Sequence, residues 1–204
     1  MTIHLTDAGK RFNRDWIFRN FNYTFTEGQK FAITGSNGSG KSTLLQILAG
    51  NMDVSEGTIT RKLQNTKIEP ENCYRHLSIA APYIEVVEEM TALEFLSFHA
   101  KFKSLIDISA KEIINIIGLE KSANKQIRYY SSGMKQRIKL AQAIFSNVPI
   151  LLLDEPCTNL DTTGYELYNK LIQEFAKDKT IIVSSNDVNE YSYCNHVISM
   201  ADYK

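Results

Sequence analysis

One stretch restricts the possible folds more than any other: Gly35-Ser36-Asn37-Gly38-Ser39-Gly40-Lys41-Ser42-Thr43. It fits the pattern G-x-x-x-x-G-K-[ST] at every position. An apolar strand candidate at residues 30–33 precedes it, and a helix candidate at residues 43–49, closed by Gly50, follows. The glycines Gly35, Gly38 and Gly40 let backbone N–H groups turn inward around phosphate oxygens. The N-terminus of the following helix adds partial positive charge. In this arrangement Lys41 reaches β- and γ-phosphates and Ser42 places its hydroxyl on Mg²⁺. A plain glycine-rich turn is the alternative, and the full pattern between strand and helix favours a nucleotide.

The chain has 204 residues, enough for one α/β domain with a sizeable core, with or without a small inserted subdomain. Lys+Arg and Asp+Glu are both 23, so the net charge gives no argument for nucleic acid, and none is expected as a partner. Cys73, Cys157 and Cys194 lie far apart and fit no metal-ligand spacing. The first residues lack a signal peptide's basic and apolar regions, and no apolar run approaches the ~18 residues of a membrane span. The expected location is cytoplasmic, with any membrane role supplied by a partner.

Phe21, Tyr23 and Phe25 alternate with polar residues, the period of a half-buried strand, so the first thirty residues read as β. Strand candidates follow at 58–60 and 77–81, with a polar connection between them. Then the pattern turns helical. Thr91-x-x-Glu94 and Ser109-x-x-Glu112 are capping boxes, the second leading into Ile113, Ile116 and Ile117 before Gly118. A third helix candidate spans residues 132–146, with Ile138, Ala141 and Phe145 on one face. The α/β pattern returns with the apolar run 150–153, expected as a strand buried on both faces. Thr163-x-x-Glu166 predicts a capped helix with Leu167, Leu171 and Phe175 inward. Strands at 180–183 and 196–200, and a short helix near Asp187, complete the chain. The division is thus an α/β core of residues 1–87 and 148–204 with a helical subdomain at 88–147.

The run 150–153 ends in Asp154-Glu155. A carboxylate at the end of a buried strand can hold Mg²⁺, the role for Asp154. Glu155 is placed to polarise an attacking water. Ser131-Ser132-Gly133-Met134 opens the helix before this second α/β segment, as an ordinary Ser N-cap or an anion site. From chemistry alone, Phe12 and Trp16 are core-packing rings rather than adenine-stacking ones.

Together these motifs resemble the ATP-binding subunit of an ABC transporter over essentially the whole length. The glycine-rich loop is similar to the Walker A motif, residues 150–155 to Walker B, and Ser131-Ser132-Gly133-Met134 to the family signature L-S-G-G-Q. Thr158-Asn159-Leu160-Asp161 resembles the loop that crosses the dimer interface. The resemblance implies a P-loop NTPase with an N-terminal antiparallel β part and an inserted helical subdomain. It moves Phe12 from the core to the adenine. It implies ATP and Mg²⁺ bound at Ser42 and Asp154. It implies a head-to-tail dimer in which Ser131, Ser132, Gly133, Met134 and Asp161 serve the partner's ATP, and a separate transmembrane permease docked near residues 82–95. The subunit would then be peripheral on the inner membrane face.

Three positions depart from the family. Its Gln at the strand end falls near Pro82, which has no polar side chain, although Glu85 is close in sequence. Its switch His falls on Asn186, which can donate a hydrogen bond to a γ-phosphate but cannot become cationic. Ser132 and Met134 replace a Gly and a Gln of the signature. These changes predict slow hydrolysis, and they raise the alternative of a slow-hydrolysing ABC-type clamp or regulator not coupled to transport.

Overall fold

Aromatic and β-branched residues alternate with polar ones from the N-terminus onward, and this pattern builds the first sheet. A computed structural model describes all 204 residues. Its strands are β1 (Thr2–Phe12), β2 (Asp15–Phe25), β3 (Lys30–Thr34), β4 (Glu56–Leu63), β5 (Thr66–Lys67), β6 (Leu77–Ala80), β7 (Ile150–Asp154), β8 (Thr180–Ser184) and β9 (His196–Ser199). Its α-helices are α1 (Lys41–Ala49), α2 (Ala92–Phe102), α3 (Ala110–Ile116), α4 (Ser132–Ile144), α5 (Thr162–Phe175) and α6 (Val188–Tyr191). The polar connection after β4 contains β5 and a 3₁₀ turn, Pro70–Arg75.

The chain forms two compact units. The first comprises Met1–Ile79, Pro149–Asp154 and Asp178–Lys204. Its antiparallel sheet has the order β2-β1-β4-β5. Register shifts interrupt the β1–β2 pairing, where Asp7 and Asn20 have φ of 47° and 53°. Asn22 holds that irregularity: its Oδ1 accepts from the Asp7 N–H at 2.8 Å, and its Nδ2 donates to Asp7 Oδ1 at 2.9 Å. The second sheet has the order β6-β7-β8-β3-β9, with β3 parallel to both β8 and β9, and β7 parallel to β8. β7 and β8 are buried at every residue, as strands covered on both faces require. An aromatic cluster of Phe18, Phe21, Tyr23, Phe25 and Phe31 packs with Leu44, Leu45 and Leu48 of α1 in one core.

Helix α1 starts at the glycine-rich loop and ends at Gly50, whose φ of 83° closes it with N–H bonds to the Gln46 and Ile47 carbonyls. Arg61 of β4 is 3% exposed. Its guanidinium donates to the Ile47 carbonyl and, at 3.3 Å, to the Leu48 carbonyl. Burial pulls its pKa down, with Cys73 and Asp53 opposing. A buried cation thus satisfies the last turn of the helix that begins at the loop.

The second unit comprises Ala80–Val148 and Glu155–Lys177. Both expected capping boxes form: Thr91 with Glu94, and Ser109 with Glu112. The start of α5 differs from the sequence reading. Asp161, not Thr163, is the N-cap, and its Oδ1 accepts from the Gly164 N–H at 2.8 Å. A carboxylate two residues upstream is the stronger acceptor for the first free N–H groups. Leu171 is buried as expected, with Tyr168 and Ile172 beside it, while Leu167 and Phe175 are half-buried.

His99 of α2 donates from Nε2 to Ser146 Oγ at 2.9 Å, because the Ser146 hydroxyl hydrogen is spent on the Gln142 carbonyl at 2.7 Å. Burial, with Lys103 adding repulsion, pushes the imidazole down to about 4 from 6.5. Between these values the unfolded chain binds a proton that the folded chain does not, so stability falls as pH drops through that window. The melting temperature of wild type is therefore expected to fall more from pH 6.5 to about 4 than that of His99→Gln. Parallel curves would place the acid sensitivity elsewhere.

Candidate nucleotide site

The sequence-predicted residues fall on both units, and each unit is described by itself. In the first, β3 runs into the loop and α1 leaves it. Gly40 is the N-cap of α1 with φ 102°, and a Cβ there would lie 2.4 Å from Ile17 Cγ2. Only glycine fits that position. Gly35 (φ 144°) and Gly38 (φ 77°) also take conformations that other residues avoid. Lys41 is 6% exposed. Its Nζ donates to the Gly35 carbonyl at 2.7 Å and the Ser36 carbonyl at 3.4 Å, so the ammonium is folded into its own loop. Ser39 Oγ is buried without a hydrogen-bond partner. Ser36, Asn37, Ser42 and Thr43 complete the loop and first turn; Ser42 is exposed and Thr43 half-buried.

Asp154 closes β7, 3% exposed, opposite Ser184 of β8 in the register. Ser184 Oγ is buried and unpartnered. The turn after β8 carries Asn186, whose Oδ1 accepts from the Gly35 N–H at 3.1 Å. Asn186, expected to donate to a γ-phosphate, accepts from the loop with its carbonyl oxygen. Phe12 ends β1 and is 46% exposed, with Lys10 Nζ 5.4 Å from the ring centroid. Trp16 is half-buried, with Arg19 and Arg11 at 4.2 and 5.6 Å from its ring. Neither ring is a buried core side chain, because both sit beside the β1–β2 hairpin turn, where basic side chains cover them.

In the second unit, Glu155 is exposed with φ 44°, although it is not glycine and precedes a proline. A residue held there stores about 1–3 kcal/mol of strain. The Thr158 N–H bonds back to the Glu155 carbonyl at 3.2 Å, holding the turn. Ser131 caps α4, its hydroxyl accepting from the Met134 N–H at 3.3 Å. A cavity of about 570 Å³ lies before this helix start, lined by Ser131, Ser132, Gly133, Met134, Arg137 and Asp161 among others. Gly133 sits against Asn159: a Cβ would lie 3.1 Å from the Asn159 carbonyl oxygen. The structure thus brings Ser131, Ser132, Gly133, Met134 and Asp161 to one cavity.

Two contacts behind this helix start carry no motif of their own in the sequence. Gln136 is 5% exposed, and its Nε2 donates to the Pro156 carbonyl at 2.6 Å. Arg137 reaches Asp161 at 3.7 Å and Thr163 Oγ1 at 3.4 Å. Two carboxylate bonds, from the Gly164 N–H and then Thr163, hold the Asp161 carboxyl below its usual range, with Arg137 adding to the effect. The available signal was periodicity: Gln136 precedes Leu140 and Ala143 on the buried stripe of α4, where a lone amide must find a partner.

A family model described as ABC transporter matches residues 18–158. The chain is 33% identical to the uncharacterized ABC transporter ATP-binding protein YybJ of Bacillus subtilis, over 97% of this chain and 92% of that one. It is 32% identical to the cytochrome c biogenesis ATP-binding export protein CcmA of Aliivibrio fischeri, over 82% of each. Among solved structures, it superposes on the dimeric ATP-binding cassette MJ0796 bound to ADP and Pi with a TM-score of 0.81. The sequences are 26% identical, and the match covers 97% of this chain and 93% of that one.

Proposed function

The chain belongs to the ABC transporter family, and from that premise we propose how its residues bind and hydrolyse ATP. ATP binding and hydrolysis follow from the family itself; the residue roles are our reading. The observation that carries it is the folded-in Lys41, held by the carbonyls of the loop that it must leave to meet phosphate. The loop N–H groups beyond Gly35, up to Thr43, cradle the phosphates, and Lys41 Nζ exchanges its two carbonyls for β- and γ-phosphate oxygens. Phe12, exposed at the end of β1, offers a face to adenine.

Ser42 and Asp154 would hold Mg²⁺. Their donor set is all oxygen, as a hard cation requires, and the buried Asp154 carboxylate has no side-chain cation to neutralise it. When bound, the ion neutralises charge on the β- and γ-phosphates. Glu155 takes a proton from the attacking water. Its backbone, held at φ 44°, sets the direction in which the side chain leaves the turn.

In this reading residues 1–87 and 148–204 act as the nucleotide-binding core, and residues 88–147 carry the signature to a second copy. Ser131, Ser132, Gly133, Met134 and Asp161 face the partner's ATP. The dimeric state of the MJ0796 relative supports such an assembly. No helix of this chain is long and apolar enough to cross a membrane. In our reading a separate permease carries the transport step. In this reading a neutral Asn186, and a Pro rather than a Gln at position 82 of the chain, make basal turnover slow.

Affinity purification from membranes tests the coupling. A multi-span protein is expected to accompany the tagged chain, and basal hydrolysis at saturating ATP is expected below that of Asn186→His. Purification without a membrane partner, together with fast wild-type turnover, would overturn the transport and slow-turnover readings.

A further inference from the structure

We propose that Asn186 is a positioning residue for the phosphate loop, acting through the Gly35 N–H and, through Gly35, on Lys41. The proposal rests on the reading of that loop as a nucleotide site. Gly35 is gripped on both of its backbone groups: its N–H donates to Asn186 Oδ1 at 3.1 Å, and its carbonyl accepts from Lys41 Nζ at 2.7 Å. One residue therefore links the turn after β8 to the loop's cation.

The turn is well placed for this role. The Ser185 N–H donates to the Ile33 carbonyl at 3.1 Å, a ladder bond between the β8 end and β3. Two residues further along the chain from Ile33, the Gly35 N–H finds the Asn186 side chain instead of a backbone carbonyl. The amide thus extends the hydrogen bonding of β3 one step into the loop. Beyond Asn186 the backbone is fixed again. The Asp187 N–H donates to Ser185 Oγ at 2.9 Å, and Asp187 Oδ1 accepts from the Asn189 N–H and Nδ2, both at 2.9 Å.

Gly35 needs such a hold. At φ 144° it has no Cβ to limit its rotation, so an unheld Gly35 would let the loop that follows it swing. When Lys41 leaves the Gly35 carbonyl for a nucleotide, the bond from the Gly35 N–H to Asn186 still anchors this residue from its other side. The contact also gives a physical reason for an amide here. An imidazolium has two N–H donors and no acceptor, so a cationic His could not receive the Gly35 N–H. With Oδ1 committed to Gly35, the amide's Nδ2 is the end left free to donate. Asn186 can therefore hold the loop and still offer a donor to a bound nucleotide.

Isothermal titration with ADP and with a non-hydrolysable ATP analogue tests the proposal, alongside amide hydrogen exchange at Gly35 in the nucleotide-free protein. Asn186→Ala is expected to weaken ADP and the ATP analogue by a similar factor, roughly 3–10-fold, as the loss of one net hydrogen bond implies. Gly35 exchange is expected to quicken. Asn186→Asp keeps the acceptor and is expected to keep Gly35 protected. A loss confined to the ATP analogue would place Asn186 on the γ-phosphate alone and overturn the proposal. Unchanged ADP affinity with unchanged Gly35 exchange in Asn186→Ala would overturn it too. Wild-type protein that bound neither nucleotide would instead remove the nucleotide reading of the loop.

Discussion

Glu155→Gln is expected to bind ATP as wild type does and to hydrolyse it about 10²–10⁴-fold more slowly, the usual worth of a positioned general base. The substitution is nearly isosteric, so the strained turn at φ 44° and its bond from the Thr158 N–H should persist. What disappears is the proton acceptor. An amide cannot take a proton from water near neutral pH. ATP that is bound but not consumed should then accumulate a closed assembly. Size-exclusion chromatography with ATP and Mg²⁺ reads this directly: a dimer for Glu155→Gln, dissociating when ATP is removed. Turnover within a few-fold of wild type would take Glu155 out of the reaction. A monomer with nucleotide demonstrably bound would count against the two-copy arrangement.

Lys41→Ala should reduce turnover by about 10²–10³-fold, the cost of removing one preorganised transition-state donor. A loss of ATP affinity should accompany it. The ammonium is the loop's side-chain cation toward the β- and γ-phosphates, and alanine leaves that charge to backbone N–H groups alone. The folded structure should tolerate the change, because Lys41 is bonded only to carbonyls of its own loop. Two measurements separate binding from chemistry: nucleotide affinity by titration, and hydrolysis at saturating ATP. Equal turnover for both proteins at saturation would remove Lys41 from the mechanism.

Much of this was legible in the residues because local rules and the fold agree. The glycine-rich loop, the two capping boxes at Thr91 and Ser109, and the apolar runs that become β7 and β8 each state their own conformation. At the start of α5, Thr163-x-x-Glu166 imitates a cap, while Asp161 two residues earlier holds the first free N–H groups. The local pattern contains both, and only the backbone path selects one. The direction of the Asn186 amide was equally hidden. Its partner, Gly35, lies 151 residues away in sequence, and only the β3–β8 pairing brings the two together. Gln136 illustrates the intermediate case. Its burial follows from helical spacing, but its partner, the Pro156 carbonyl, follows only from the packed second unit.

The buried guanidinium of Arg61 gives the phosphate loop a second point of vulnerability. Its bonds run to the last carbonyls of the helix whose first turn carries Lys41 and Ser42. A lysine there would keep the charge but could not fork across two carbonyls in the same way. In a hunt for temperature-sensitive alleles, changes at position 61 would therefore present as failures of nucleotide handling, although the position belongs to a strand of the antiparallel sheet and to no recognised motif.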